Sequence, residues 1–187
     1  MYKKLKDLQI GLEEIISSPK QTGTVEMIVS RPKIGTRKIL ETAELDQHLG
    51  LIGDNWYDRD ASSTQKKSPN KELQITIMNS RVIQLITQKH DQWPLAGDQF
   101  YIEMDVSRKN LPPGSLLEIG SALLQVSEKP HTGCKKFSER FGLDALKFIS
   151  SKQGRVLSLR GINTSIIKSG IVQTGDKVIK VDQKQRK

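Results

Sequence analysis

Residues 115–137 read SLLEIGSALLQVSEKPHTGCKKF. Two apolar runs, Ser115–Ile119 and Ala122–Val126, flank the pair Gly120–Ser121, the pattern of a tight two-residue hairpin. The chain then turns polar and basic through KPHTGC. After that, Phe137, Phe141, Leu146 and Ile149 form the apolar stripe of a helical stretch, which Gly142 is expected to kink or divide. A hairpin feeding a short helix, with a lone cysteine at the junction, sets the pattern from which the rest of the chain is read.

Working outward, the same texture of short strands recurs. Residues 24–31 alternate as a strand, Pro32–Gly35 turn, and 38–44 read as the returning strand. Residues 74–78 form a compact apolar strand. Asn79 and Ser80 are good caps for a helix over 80–88, whose Val82, Ile83, Leu85 and Ile86 face inward. Strands are expected over 99–106, 162–168 and 177–181, with Gly170 and Gly175–Asp176 as turns, while 156–160 is ambiguous. At the N-terminus, Leu5, Leu8, Leu12 and Ile15 repeat at helical spacing over 3–16, weakened at Gly11 by about 1 kcal/mol relative to alanine. Residues 57–72 read as a long polar loop. Many short strands without a βαβ alternation point to a mainly β fold, an antiparallel barrel or half-barrel with two or three short helices at its openings. The expected organisation is an N-terminal helical arm (1–21), one barrel domain (22–181) and a basic tail (182–187).

Composition narrows the setting. The chain has 187 residues, enough for one domain with its own core, and only 5% aromatics, so that core must be aliphatic. One cysteine cannot form an internal disulfide, which suits a reducing compartment, and no run approaches the roughly 20 apolar residues of a membrane span. A cytoplasmic location without membrane association is expected. The net charge of +9 suggests nucleic acid until it is located: six of the excess positive charges, Lys3, Lys4, Lys6, Lys184, Arg186 and Lys187, lie at the two ends. Such ends read as solvated tails or as a nonspecific phosphate-binding device.

Cys134 is the chemical focus. It falls where a strand ends and a helix begins, with Lys135, Lys136 and His131 nearby as sources of positive charge. A free thiol titrates near about 8.5, and cationic surroundings lower that value, favouring the nucleophilic and metal-binding thiolate. Gly133 would leave room for a bulky partner. The alternative is an inert structural cysteine, which usually prefers apolar neighbours. His131 and Cys134 have spacing suited to a metal, but no second ligand pair completes a zinc site, so zinc is not expected. A cysteine hydrolase with His131 as base would place the pair awkwardly on one tight loop; His48 and His90 stand in no motif.

The phrases QITIMNSRVI (74–83), LAGDQFYIEMDVSRKNLPPGSLLEIGSALLQVSEKPHTGCKKFSERFG (95–142) and LRGINTSIIKSGIVQTGDKV (159–178), in that order, resemble a stand-alone bacterial MOSC domain, the module named from the C-terminal domain of molybdenum-cofactor sulfurases. GLIGDNWYDR (50–59) resembles the family's G-L-x-G-D segment. The likeness spans roughly 22–181. It implies a β-barrel and makes Cys134 the counterpart of the family's cysteine. Two roles follow: a persulfide sulfur carrier loaded by a pyridoxal-phosphate-dependent cysteine desulfurase, or the thiolate ligand of molybdenum in a pterin cofactor, reducing N-hydroxylated compounds with electrons from a partner protein. Many cofactor-binding members carry a His-Gly-Gly segment after the G-D motif, whereas this chain has DRDASSTQKKSPNKELQ (58–74), with neither His nor Gly. For a cofactor phosphate, Arg160 is the first candidate anchor. His131, Thr132, Gly133, Lys135, Asn163 and Asp54 are further candidate contacts, each with a turn, capping or surface explanation beside it. Trp56 and Tyr57 would wall a pocket mouth or simply pack. The competing function is a non-catalytic module that keeps the barrel and uses its basic termini on nucleic acid or an acidic partner.

Overall fold

The computed structural model describes residues 2–58 and 69–181. Its centre is a closed barrel of seven strands: β1 (Thr22–Ser30), β5 (Ile75–Asn79), β6 (Phe100–Ile102), β7 (Leu116–Ile119), β8 (Ala122–Pro130), β9 (Ile162–Lys168) and β11 (Lys177–Val181). The ring runs β1–β11–β7–β8–β9–β5–β6 and returns to β1. Closure removes the unpaired edges that an open sheet would present.

The barrel is mixed rather than wholly antiparallel. β5 and β6 run parallel, with Ile77 opposite Phe100 and Asn79 opposite Ile102. A parallel pair needs a crossover instead of a hairpin. Here helix α3 (Ser80–Thr87) and a 3-10 turn (His90–Ala96) supply it. The Asn79 side chain accepts from Arg81 N and starts α3, as its position in the sequence suggests. The expected hairpin is present: Ile119 pairs with Ala122 across Gly120, whose φ of +56° at the first loop position is the type II′ pattern.

Two apolar clusters lie on opposite faces of the wall. Inside are Val25, Ile28, Ile75, Ile77, Phe100, Ile102, Leu117, Leu124, Ile166 and Val178. Outside, Met27, Val29, Met78 and Tyr101 pack beneath the helices. On β6 the two-residue period sends Phe100 and Ile102 in and Tyr101 out. On β1 a register shift between Val25 and Met27 puts Val25 inside and Met27 outside, and residues 27–29 are all buried because both faces of the wall are covered.

The helices complete the outer core. The N-terminal segment is two short helices, α1 (Leu5–Ile10) and α2 (Leu12–Ile16), broken at Gly11. A Cβ on Gly11 would stand 2.3 Å from Leu85 of α3, so the glycine permits that close approach. Leu8, Leu12 and Ile15 are buried against α3 and the barrel wall, so the segment read as an arm packs onto the domain. The stripe that follows the cysteine is α4 (Lys135–Phe141) and α5 (Leu143–Ser150), divided at Gly142 with φ +88°, and then α6 (Lys152–Val156).

The strand expected over 38–44 is split between β2 (Lys38–Leu40), on the barrel's edge, and β3 (Thr42–Asp46). β3 joins β4 (Gly50–Leu51) and β10 (Gly170–Gln173) in a separate three-stranded sheet. β10 begins at Gly170, which reads as a turn, and covers 171–173, for which no strand is expected; its partner β3 is remote in sequence. The strand expected over 99–106 is regular only through Ile102. Most of the polar loop expected over 57–72, and the tail at 182–187, lie outside the described residues. No helix among the described residues is long and apolar enough to cross a membrane.

Candidate functional site

The β8 strand ends at Pro130, opposite Ile162, after a register shift that follows Val126. The chain then crosses one end of the barrel through His131, Thr132 and Gly133. Cys134 is the N-cap residue of α4, with extended backbone (φ −131°, ψ 172°). Its carbonyl accepts from Phe137 N (3.0 Å) and Ser138 N (3.3 Å), while its thiol makes no capping bond. The backbone thus starts the helix and leaves an exposed, free thiol. Lys135 is 91% exposed and lies 3.9 Å from Glu139 one turn on.

The space that a side chain on Gly133 would take, expected to be open to a partner, is filled. A Cβ there would lie 2.6 Å from Leu146 Cδ1 and 3.1 Å from Ile149 Cδ1. The missing side chain allows the cysteine loop to lie on α5, and α5 already occupies the room.

Beneath the loop sits a buried polar cluster. Asp98 is fully buried. Its Oδ2 accepts from Arg160 Nη1 at 2.6 Å, and its Oδ1 is 3.3 Å from His131 Nδ1 without hydrogen-bond geometry. Arg160 Nη2 donates to Ala96 O (2.9 Å), and the guanidinium stacks over Phe137 at 5.3 Å. Arg160 Nε is buried without a partner. Burial, and then the charge of Arg160, lower the His131 pKa to about 3, although Asp98 pulls the other way. His131 is therefore neutral near pH 7 and contributes hydrogen-bonding capacity, not the positive charge expected beside the thiol.

Asp54 belongs to a second ion pair. It receives Arg31 Nε (2.8 Å) on Oδ2 and Arg31 Nη2 (2.9 Å) on Oδ1, and Oδ1 also accepts from Trp56 N. This fork ties the segment following β4 to the end of β1. Trp56 is buried, and Tyr57 packs edge-on against it at 6.2 Å.

The two clusters meet on one stretch of backbone. Four successive carbonyls each accept from a different arginine: Pro94 O from Arg37 Nε (3.2 Å), Leu95 O from Arg140 Nη1 (2.6 Å), Ala96 O from Arg160 Nη2 (2.9 Å) and Gly97 O from Arg31 Nη1 (3.0 Å). The crowding lowers the Arg37 pKa, through burial first and then through Arg140 and Arg31. Sequence reasoning found Arg160 but not its carboxylate, because Asp98 lies 62 residues away in the chain.

A cavity of about 570 Å³ opens beside the loop. His131, Thr132, Gly133, Arg160 and Asn163 all contribute to its wall; Cys134, Lys135 and Asp54 do not. Asn163 Nδ2 donates to Lys129 O (3.0 Å) and holds the irregular end of β8 against β9. Arg108 and Arg155, which the sequence did not single out, stand on this wall too.

No family model and no curated protein matches the chain. Solved structures do. The YuaD protein from Bacillus subtilis superposes with a TM-score of 0.62 at 18% identity, over 87% of this chain and 97% of that one. YiiM from Escherichia coli gives 0.56 at 18%, over 86% and 70%, and YiiM from Geobacillus stearothermophilus gives 0.53 at 12%, over 89% and 75%. At these identities the likeness establishes a shared fold.

Proposed function

We propose that this chain is a MOSC-type protein working through the thiol of Cys134, as a persulfide sulfur carrier or as the ligand of a molybdenum–pterin cofactor. The fold shared with YuaD and YiiM supports the MOSC-like reading. The observation that carries the chemistry is the exposed sulfur of Cys134, unengaged by its own helix cap, on a loop whose His131 lies over the buried Asp98–Arg160 pair.

The geometry favours the carrier. An exposed thiol outside the cavity wall is reachable by the active site of another protein. In the loading step, the Cys134 thiolate attacks the outer sulfur of a desulfurase cysteine persulfide. A new S–S bond forms at Cys134, the donor's S–S bond breaks, and the donor cysteine leaves as thiolate, with no net oxidation. Neutral His131 neither attracts nor repels an anionic donor.

Arg160, the anchor expected for a pterin phosphate, is already committed within the protein. Cys134 offers a sulfur ligand, but both Nη atoms of Arg160 are engaged, by Asp98 and by Ala96 O. No step is therefore derived through that group.

Incubation with a pyridoxal-phosphate-dependent cysteine desulfurase and sulfur-labelled cysteine should place label on the native chain and none on Cys134→Ser. Absence of label on the native chain would overturn the carrier. Molybdenum in protein from a host with intact molybdopterin synthesis, lost on Cys134→Ser, would establish the ligand role instead. If neither label nor metal is found, the proposal fails.

A further inference from the structure

We infer that the outer face of α4, with the turns at 33–38 and 90–97 beside it, is a docking surface for an acidic protein; under the carrier reading, on which this identity of the partner rests, that protein is the sulfur donor. Arg37 and Arg140 form its centre. Arg140 Nη1 donates to Leu95 O (2.6 Å). Arg37 donates through Nε to Pro94 O (3.2 Å) and through Nη1 to Thr36 O (2.7 Å). Two guanidiniums are thus held on consecutive carbonyls. Both side chains are partly exposed, and neither has a carboxylate within ion-pair distance among the described residues.

The cations continue toward the thiol. Lys136 is exposed and lies one turn before Arg140 on the same helix face. Arg140 itself is about 9 Å along the helix axis from the Cys134 cap. The acid on α4, Glu139, is on a different face, 3.9 Å from Lys135. Lys33 and Lys38 add exposed charge to the turn that carries Arg37, and Asp91 is the acid of the 90–97 turn. After burial, the charge of Arg140 does most to hold the Arg37 pKa below its ordinary value. The two guanidiniums repel each other, and an acidic partner would relieve them.

A protein fits this surface better than a nucleic acid does. Leu95, whose carbonyl holds Arg140, is 38% exposed, and Ile34, in the Arg37 turn, is 81% exposed. Arginine beside apolar surface is the composition of a protein interface. Single-stranded nucleic acid is met instead on aromatic platforms. Because backbone carbonyls already hold both guanidiniums, docking has less side-chain freedom to remove. A partner seated here lies against the helix whose N-cap residue is Cys134.

A fluorescein-labelled peptide of glutamate and leucine is the probe, read by fluorescence anisotropy on the full chain. The native chain should bind it and release it as salt rises. Two variants should each weaken it at least fivefold: R37Q/R140Q, in which glutamine can still donate to the carbonyls, and I34D/K136E, altered only at exposed positions. K3Q/K4Q/K6Q/K184Q/R186Q/K187Q, which neutralises both basic ends, should stay within twofold. Cys134→Ser should bind as the native chain does, so this arm stands whatever becomes of the sulfur chemistry. In a second arm, I34D/K136E should take sulfur from a cysteine desulfurase at least fivefold more slowly than the native chain, while its thiol reacts with uncharged iodoacetamide at the native rate. Peptide binding lost with the basic ends and kept in I34D/K136E would overturn the surface. So would a single-stranded DNA oligonucleotide that I34D/K136E weakens as much as the peptide. An unchanged desulfurase rate beside weakened peptide binding would overturn the donor as the occupant. A native chain that takes no sulfur at all would sink the carrier instead, with the peptide arm still deciding the surface.

Discussion

Arg160 Nη1 and Asp98 Oδ2 meet at 2.6 Å in a site where Asp98 is fully buried and Arg160 nearly so. The pair joins β9's entry to the strand-forming segment that becomes β6, and it lies directly beneath His131.

Asp98→Asn should therefore be strongly destabilising. It leaves the guanidinium buried without a counter-charge, a change that costs about 3–5 kcal/mol when one partner of such a pair is removed. Urea unfolding should show the loss as a lower midpoint at nearly unchanged slope.

Stability should fall as acid is added, through His131. Its pKa is about 3 in the folded chain and near 6.5 when unfolded. The folded state therefore resists protonation. Below about pH 6.5 the unfolded state binds the additional proton, and this group's contribution to stability is lost progressively as pH drops toward about 3, at up to about 1.4 kcal/mol per pH unit. Above pH 6.5 the contribution is fully present. His131→Gln should flatten this part of the stability–pH curve, measured by urea unfolding between pH 7 and pH 4.

Cys134→Ser should change stability by less than about 0.5 kcal/mol, since the thiol is exposed and forms no cap bond. In the folded protein the thiol should alkylate within a few-fold of the rate in urea. A much slower native rate would contradict its exposure.

Two glycines separate a soft from a hard constraint. In Gly133→Ala the nearest conflict is the tip of Leu146, which can move, so the cost should stay near 1 kcal/mol. In Gly161→Ala the new Cβ meets the Ile77 carbonyl oxygen at 2.4 Å at a φ of +100°, so both backbone strain and a rigid neighbour oppose it. Its cost should be about 2–3 kcal/mol, visible as a larger drop in Tm.

Features legible in the sequence were those set by near neighbours. The 116–126 hairpin follows from two apolar runs and one glycine, the α3 cap from Asn79, and the break between α4 and α5 from Gly142. Arg160 was legible as a chemical group but not as half of a pair, because Asp98 lies 62 residues away. The parallel β5–β6 contact was missed for a related reason: periodicity shows that a strand exists and says nothing of the direction of its partner.

By itself the sequence determined a mainly β chain of short strands, with one thiol at a strand-to-helix junction, because strand period, turn glycines and caps act over a few residues. Only the tertiary structure decided that β1 closes on β11, with Thr22 beside Ile179, that His131 is neutral, that Gly133 is filled by α5, and that four arginines converge on the carbonyls of 94–97. Those outcomes depend on which distant groups share a low-dielectric interior, and burial and pairing of that kind exist only once the barrel has closed.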